Sequence, residues 1–151
     1  MRHRFGLLLA ALLLAFAGVP RIAAAQGSQP VPLEAFVAGV ARLWAAGDAD
    51  ALVRLAPADG RIMLDLGDAG AGPVQERQAA AALRALFDDR ATVSVRAERV
   101  TVSGGQPLAG FGELRWVSRP KGVTVAKSSV IYVGVVWDGR AWHIRELRIL
   151  G

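Results

Sequence analysis

His143 is the side chain of this sequence best suited to acid–base chemistry. Imidazole titrates near neutral pH, and His3, the other histidine, lies in a segment that we expect to be removed. A histidine that acts as a general base needs a carboxylate within hydrogen-bond distance. Strand alternation places His143 on the outer face of the predicted sheet, with no acidic residue predicted beside it. The sequence therefore predicts no catalytic residue.

Lys127 is the second candidate. A turn at residues 119–122 would pair Leu114 with Lys127 and point the ammonium group towards the interior of the fold. A buried lysine is unfavourable unless it is paired, and Asp65 is a candidate partner. The sequence thus predicts a cationic anchor for an anionic ligand. The alternative is that Lys127 lies at a bulge and extends its head to the rim.

Metal and cofactor chemistry have little support in the sequence. One histidine outside the N-terminal segment, no cysteine and scattered acidic residues predict no metal site. The glycines of residues 67–72 suggest a phosphate loop, but the Lys-Ser/Thr ending and a parallel βαβ context are missing. Without Gly-x-Ser-x-Gly, hydrolase chemistry has no support either. We therefore predict neither a cofactor nor a metal.

The first 25 residues are typical of a cleaved signal peptide. Arg2 and Arg4 precede an apolar run over residues 7–17, and three alanines at 23–25 give a small-residue cleavage site before Gln26. The run is shorter than the roughly 20 residues that span a bilayer, which disfavours an uncleaved anchor. No cysteine is available for acylation. We expect a periplasmic or secreted protein with no membrane anchor after cleavage.

Charge gives no indication of nucleic-acid binding. Removal of residues 1–25 would leave 126 residues and lower the formal net charge from +5 to +2, because three arginines leave with the segment. The arginines of the C-terminal half alternate with glutamates, whereas a nucleic-acid surface needs clustered positive charge. We expect no nucleic-acid partner.

Hydrophobic periodicity predicts helices first and then strands. Residues 26–32 form a flexible lead, and the domain occupies residues 33–151. An apolar stripe from Leu33 predicts a helix that Gly47 ends, and Asp48 is a fair N-cap for a second, short helix. The remaining predicted elements are a strand at 61–66, a flexible loop at 67–73, a helix at 74–89, and strands at 92–102, 109–118, 123–137 and 140–150.

The last two strands carry the strongest local signal. Asp138-Gly139 predicts a two-residue hairpin turn that pairs Val135 with Trp142. A bulge at Arg145-Glu146 would bring the following apolar residues back to the core. The predicted core residues of this hairpin are Val133, Val135, Trp142, Ile144, Leu147 and Ile149. The 15-residue strand at 123–137 must bend, with residues 127–129 and Gly134 as candidate bends.

This order of elements resembles the cystatin-like, nuclear transport factor 2-like fold. The segments DADALVRLAPADGRIML, QERQAAAALRALF and WDGRAWHIRELRIL are similar to those of an uncharacterised family of exported bacterial proteins with that fold. The resemblance covers nearly all of residues 33–150. It implies an α+β domain in which the N-terminal helices pack on the concave face of a strongly bent antiparallel sheet, enclosing a cone. This fold serves enzymes, ligand binders and dimerisation modules.

Two candidate sites follow from that architecture. The cone would bind a small apolar or amphipathic anionic ligand. Its predicted lining is Trp44, Asp65, Leu83, Phe87, Leu114, Trp116 and Lys127. The outer sheet face would form a weak homodimer. Its predicted residues are Tyr132, Val136, Ala141 and His143.

Three functions remain open on the sequence alone. We expect a non-catalytic domain that binds a small ligand or a protein. The alternatives are a small enzyme of the isomerase or dehydratase type that uses the cone, and a structural homodimerisation module. Converging Asp, His or Tyr side chains inside the cone would favour the enzyme, whereas a cone filled by tryptophan and leucine would favour the module.

Overall fold

The computed structural model describes residues 31–67 and 70–151. The predicted signal peptide and most of the predicted lead therefore lie outside the described residues. Within them, three helices and six strands follow one another along the chain. They are α1 (Leu33–Ala46), α2 (Ala49–Val53), β1 (Arg61–Asp65), β2 (Gly72–Gln75), α3 (Glu76–Asp89), β3 (Arg90–Gly104), β4 (Ala109–Pro120), β5 (Lys127–Trp137) and β6 (Trp142–Leu150).

The ends of the first two helices agree with the sequence signals. Gly47 adopts a left-handed conformation with φ of 66°, and its N–H donates to the carbonyls that close α1. The Asp48 carboxylate accepts a hydrogen bond of 3.0 Å from the backbone N–H of Ala51. These two residues end α1 and begin α2.

The six strands form one sheet in the order β2-β1-β6-β5-β4-β3. Strands β3 to β6 make an antiparallel meander, and β1 runs parallel to β6, so the sheet is mixed. The α+β class is confirmed. The predicted loop at 67–73 is wrong at its end, since Gly72–Gln75 forms β2, and α3 begins at Glu76 rather than residue 74.

The β5–β6 hairpin has a longer turn than predicted. Trp137 pairs with Trp142, and Val135 pairs with Ile144, so the turn holds four residues instead of two. The pairing shifts by two residues, which leaves every side chain on its predicted face. Arg145 is the extra residue of the register break opposite Gly134 and Val135, as predicted.

Bulges are concentrated in β3 rather than in β5. The register of β3 against β4 is broken three times, with Val93, Glu98 and Ser103 as the extra residues, whereas β5 pairs with β4 without interruption. The predicted bend at residues 127–129 is therefore wrong. Each bulge adds local twist, so the long edge strand β3 curls around the helices.

Two glycines of β4 let α1 approach the sheet. A Cβ atom on Gly110 would lie 2.7 Å from Leu33 Cδ2, and one on Gly112 would lie 2.7 Å from Val37 Cγ1. Such distances are well inside van der Waals contact. The absence of side chains at both positions fixes where α1 lies over the concave face.

The concave face and the helices bury the core. The predicted core residues of the hairpin are buried, except that Ile149 is partly exposed. The carbonyl of Val31 accepts a 2.9 Å hydrogen bond from Trp142 Nε1, which ties the chain before α1 to β6. None of the helices that the structure describes is long and apolar enough to cross a membrane.

Candidate functional site

Five of the seven residues predicted to line the cone come together in its interior. The Trp44 ring makes edge-to-face contacts with Phe87 at 5.2 Å and Trp116 at 5.5 Å, measured between ring centroids. Trp44, Leu83, Leu114 and Trp116 are all 0% exposed. A side chain with no accessible surface leaves no room for a water molecule beside it. The cone is therefore filled by aromatic and aliphatic side chains around these residues.

Polar groups in this interior are few. Ser118 and Ser129 are the only buried polar side chains of the described residues. Trp116 Nε1 donates to Thr92 Oγ1 at 2.9 Å, but Trp44 Nε1 and Ser118 Oγ have no partner within the described part of the chain. An unpaired buried group costs on the order of 1–3 kcal/mol. No acid or base converges in this part of the interior.

The two polar residues predicted for the cone lie elsewhere. Lys127 pairs with Ser118 instead of Leu114, and its side chain is exposed at the beginning of β5. The connection between β4 and β5 is longer than a tight turn, so the pairing moved by four residues. Lys127 keeps its predicted face but lies at the end of the sheet instead of beside Leu114. Asp65 alternates with the buried Leu64 and so faces away from the core, where its carboxylate accepts the N–H of Gly67 at 3.2 Å.

The prediction that no acid lies beside His143 is also wrong. In the four-residue turn, Asp138 folds back over the hairpin, and its Oδ2 lies 2.6 Å from His143 Nε2. The other ring nitrogen, Nδ1, lies 3.1 Å from the carbonyl oxygen of Ala56. The contact was not predicted because a two-residue turn at Asp138-Gly139 would place Asp138 at the tip of the hairpin, away from His143.

The His143 pair is suited to bridging rather than to catalysis. Both ring nitrogens face oxygen acceptors, and a neutral imidazole carries one N–H, so the imidazolium form alone donates to both. Backbone hydrogen bonds from Ala141, then the His143 contact, then the Arg140 N–H lower the pKa of Asp138 from 3.8 to about 2. Both ring nitrogens of His143 are therefore engaged within the fold. This side chain links the hairpin to the segment after α2.

We expect Asp138→Asn to destabilise the protein at pH 6 and much less near pH 2. The folded-state pKa of Asp138 is depressed, so its stabilisation is present above about pH 4 and is lost as the pH falls through about 2. Thermal midpoints of both proteins between pH 2 and pH 6 test this. Asp59→Asn is the matched control, because Asp59 also accepts a backbone N–H, from Arg61 at 3.0 Å. A difference independent of pH would contradict the prediction.

The outer sheet face carries an aromatic pair at its centre. Phe111 of β4 and Tyr132 of β5 stack with ring centroids 5.5 Å apart and planes inclined by 23°. Burial, followed by the charge of Glu146, raises the pKa of Tyr132. Gly134 makes room here, since a Cβ on it would lie 3.3 Å from Tyr132 Cε1.

The other residues predicted for this face are distributed differently. Val136 is 7% exposed and offers almost no surface to a partner. Ala141 is exposed in the hairpin turn, and His143 is held by its two hydrogen bonds. Of the four predicted residues, Tyr132 thus remains as the one that lies on the face itself. Its neighbour Phe111 was not among the predicted residues. Phe111 lies opposite Gly134 in the β4–β5 ladder, and the register expected from the sequence did not pair these two residues.

Ion pairs surround the aromatic centre. Arg115 contacts Glu98 through two hydrogen bonds, of which the Nη2–Oε2 bond is 3.1 Å. The shortest N–O distances are 3.6 Å for Arg99–Glu113 and 3.1 Å for Arg148–Glu146. Exposed pairs of this kind contribute little to stability. They give the outer sheet face a rim in which positive and negative groups alternate.

No group of three or more His, Cys, Asp or Glu side chains in residues 31–67 and 70–151 is arranged to hold a metal ion. The two predicted sites are thus the cone interior and the outer sheet face. The first is packed with apolar groups, and the second is an exposed surface.

Solved structures share this architecture at low sequence identity. A DUF4783 family protein from Bacteroides uniformis has a TM-score of 0.61 at 13% identity, covering 74% of this chain and 93% of that chain. A ketosteroid isomerase-like protein from Erwinia carotovora atroseptica has a TM-score of 0.57 at 13% identity, covering 76% and 91%. A protein with a ketosteroid isomerase-like fold from Catenulispora acidiphila, in complex with trimethylamine, has a TM-score of 0.58 at 14% identity, covering 82% and 87%.

The sequence matches no protein-family model and no curated protein. Structural similarity at 13–14% identity establishes the fold and leaves the function to the site. With helices packed against one face of a bent, open six-stranded sheet, the chain has the nuclear transport factor 2-like fold.

Proposed function

We propose that this protein is an exported, non-catalytic interaction module that pairs with a second copy of itself through the outer sheet face. The observation that carries the proposal is the Phe111–Tyr132 stack inside a rim of Arg–Glu pairs. Aromatic residues at the centre and polar residues at the rim are the usual anatomy of a protein interface.

The charge pattern supports a second copy as the partner. A twofold interface is self-complementary, so each surface must carry both members of every pair that it forms. The rim contains arginines and glutamates on neighbouring strands, so the arginines of one copy can face the glutamates of the other. A surface that binds a partner of different sequence does not need equal numbers of positive and negative groups.

The packed interior supports association over a reaction or a buried ligand. Enzymes and binders place their chemistry in a cavity with a few oriented polar groups. Here the tryptophans and leucines fill the space around Trp44 and Trp116, and no titratable side chain lies among the buried residues of the described chain. The outer sheet face is where partly exposed aromatic surface remains, at Phe111 and Tyr132.

We expect the wild-type protein to dimerise weakly and Tyr132→Arg to be a folded monomer. The new guanidinium has Glu113 and Glu146 nearby within its own copy, but it faces a like charge across a twofold axis. A tyrosine at an interface centre contributes enough that its loss should weaken the dimer at least about tenfold. Sedimentation equilibrium measures the dimer dissociation constants of both proteins, purified from the periplasm. The intact mass of this material should correspond to a chain that begins at Gln26.

Val125→Arg is the matched control, because Val125 is 68% exposed in the loop before β5 and receives the same charge. Its dimerisation should equal that of the wild type. Val136→Glu is a poor test, since it would place a charge at a buried position. A wild-type protein that sediments as a monomer at several hundred micromolar, or an undiminished Tyr132→Arg dimer, would show that the outer sheet face is not the interface.

A further inference from the structure

A groove of about 290 Å³ lies between α2 and α3, outside the packed interior. Two small apolar residues line it at the contact between the helices: Val53 is 5% exposed and Ala80 is 4% exposed. We name it the α2–α3 groove. Neither the cone nor the outer sheet face includes any of its lining residues.

Three arginines line the α2–α3 groove. Arg54 is the C-cap of α2, and Arg77 and Arg84 lie two turns apart along α3, so they share one side of that helix. All three are exposed at the surface, and they come from two different helices. Guanidinium groups that converge on one cavity match an oxyanion, because each can donate two parallel hydrogen bonds.

The acidic residues of the groove leave part of this charge uncompensated. Asp50 forms an ion pair with Arg84 across the two helices. The Glu76 carboxylate lies near Gly60, where a Cβ would be 3.7 Å from its Oε1. Within the described ranges, Arg54 and Arg77 form no salt bridge with any acidic side chain. Two guanidinium groups therefore remain without an ion-pair partner, and the three arginines and two carboxylates of the lining give the groove a net charge of +1.

Arg77 lies in the first turn of α3, directly after the acidic Glu76. It is the second residue of the 14-residue helix α3, where the backbone N–H groups already present partial positive charge. A cation in that turn is unfavourable, and Glu76 in the same turn offsets part of this cost. Bound negative charge in the groove would stabilise both the arginine pair and the first turn of the helix.

We propose that the α2–α3 groove binds a small phosphate-type anion, held by Arg54 and Arg77 with Arg84 positioned by Asp50. The two unpaired guanidinium groups can donate paired hydrogen bonds to the oxygens of a phosphate, and the net charge of the lining favours an anion. The volume suits a small molecule, and the apolar contacts of Val53 and Ala80 suit a short organic group attached to the phosphate.

The test is a ¹H–¹⁵N NMR titration of the purified protein with inorganic phosphate and with glycerol phosphate, in low salt at pH 7.5. Sodium chloride of equal ionic strength is the reference. We expect saturable shifts confined to α2 and the first two turns of α3. Arg54→Gln and Arg77→Gln should each weaken binding about tenfold, since each removes charged hydrogen bonds.

Arg140→Gln is the matched control, because Arg140 is exposed in the hairpin turn and its loss lowers the net charge equally. This variant should bind phosphate as the wild type does. Shifts spread over the whole surface, or equal weakening by Arg140→Gln, would overturn the proposal in favour of nonspecific attraction. Tighter binding of succinate than of glycerol phosphate would overturn the assignment to phosphate.

Discussion

Leu147→Ala is expected to lower the free energy of unfolding by about 2–5 kcal/mol. Leu147 is 0% exposed and lies on β6 between its neighbours Val133 on β5 and Leu64 on β1. Truncation removes contacts on both sides, and the surrounding strands cannot close the cavity because each is held by its own ladder. Urea unfolding followed by tryptophan fluorescence measures the change.

Arg148→Ala is the control for this variant. Arg148 is the next residue of the same strand, it is exposed, and its ion pair with Glu146 is at the surface. Its loss should change the free energy of unfolding by less than about 0.5 kcal/mol. If Leu147→Ala cost equally little, the register break at Arg145 would be misplaced, because without it Leu147 would face solvent.

Gly110→Ala is expected to cost about 1–3 kcal/mol, as overpacking of a rigid site does. The added Cβ would lie 2.7 Å from the backbone carbonyl oxygen of Thr101 and 2.7 Å from Leu33 Cδ2. A side-chain atom can rotate away, but the carbonyl belongs to the curled part of β3 and moves only with the strand. Either α1 or the edge of the sheet must therefore shift outwards.

Gly72→Ala is the matched control for Gly110→Ala. Gly72 also lies on a strand, and no heavy atom lies within 4 Å of a Cβ added to it. Alanine there should leave stability unchanged or raise it slightly, because it restricts the unfolded chain. Thermal midpoints of the two variants, measured together, separate the steric cost from the general effect of glycine replacement. A Gly110→Ala protein as stable as Gly72→Ala would mean that α1 lies further from β4.

Sequence periodicity identified the elements because it depends on neighbours a few residues apart. The stripe of α1, its end at Gly47 and the cap at Asp48 are all local features, and the structure confirms them. The core face of the β5–β6 hairpin was also predictable, since a pairing error of two residues does not change which face a side chain occupies. The break at Arg145 followed from the spacing of apolar residues alone.

Local patterns did not predict contacts between residues on different elements. The inward placement of Lys127 depended on the length of one connection, and the contact of Asp138 with His143 depended on the number of residues in one turn. Strand β2 was missed because Gly72 and Pro73 are typical of loops, and pairing with β1 overrides that preference.

The sequence by itself therefore determined the order of elements, the apolar faces and the resemblance to the nuclear transport factor 2-like fold. The tertiary structure alone decided that Trp44 meets Phe87 and Trp116 in a filled cone, and that Arg54 and Arg77 line one groove between two helices. The reason is physical. Local patterns fix which side of an element is apolar, whereas the distance between two side chains depends on strand register, loop length and the packing of whole elements.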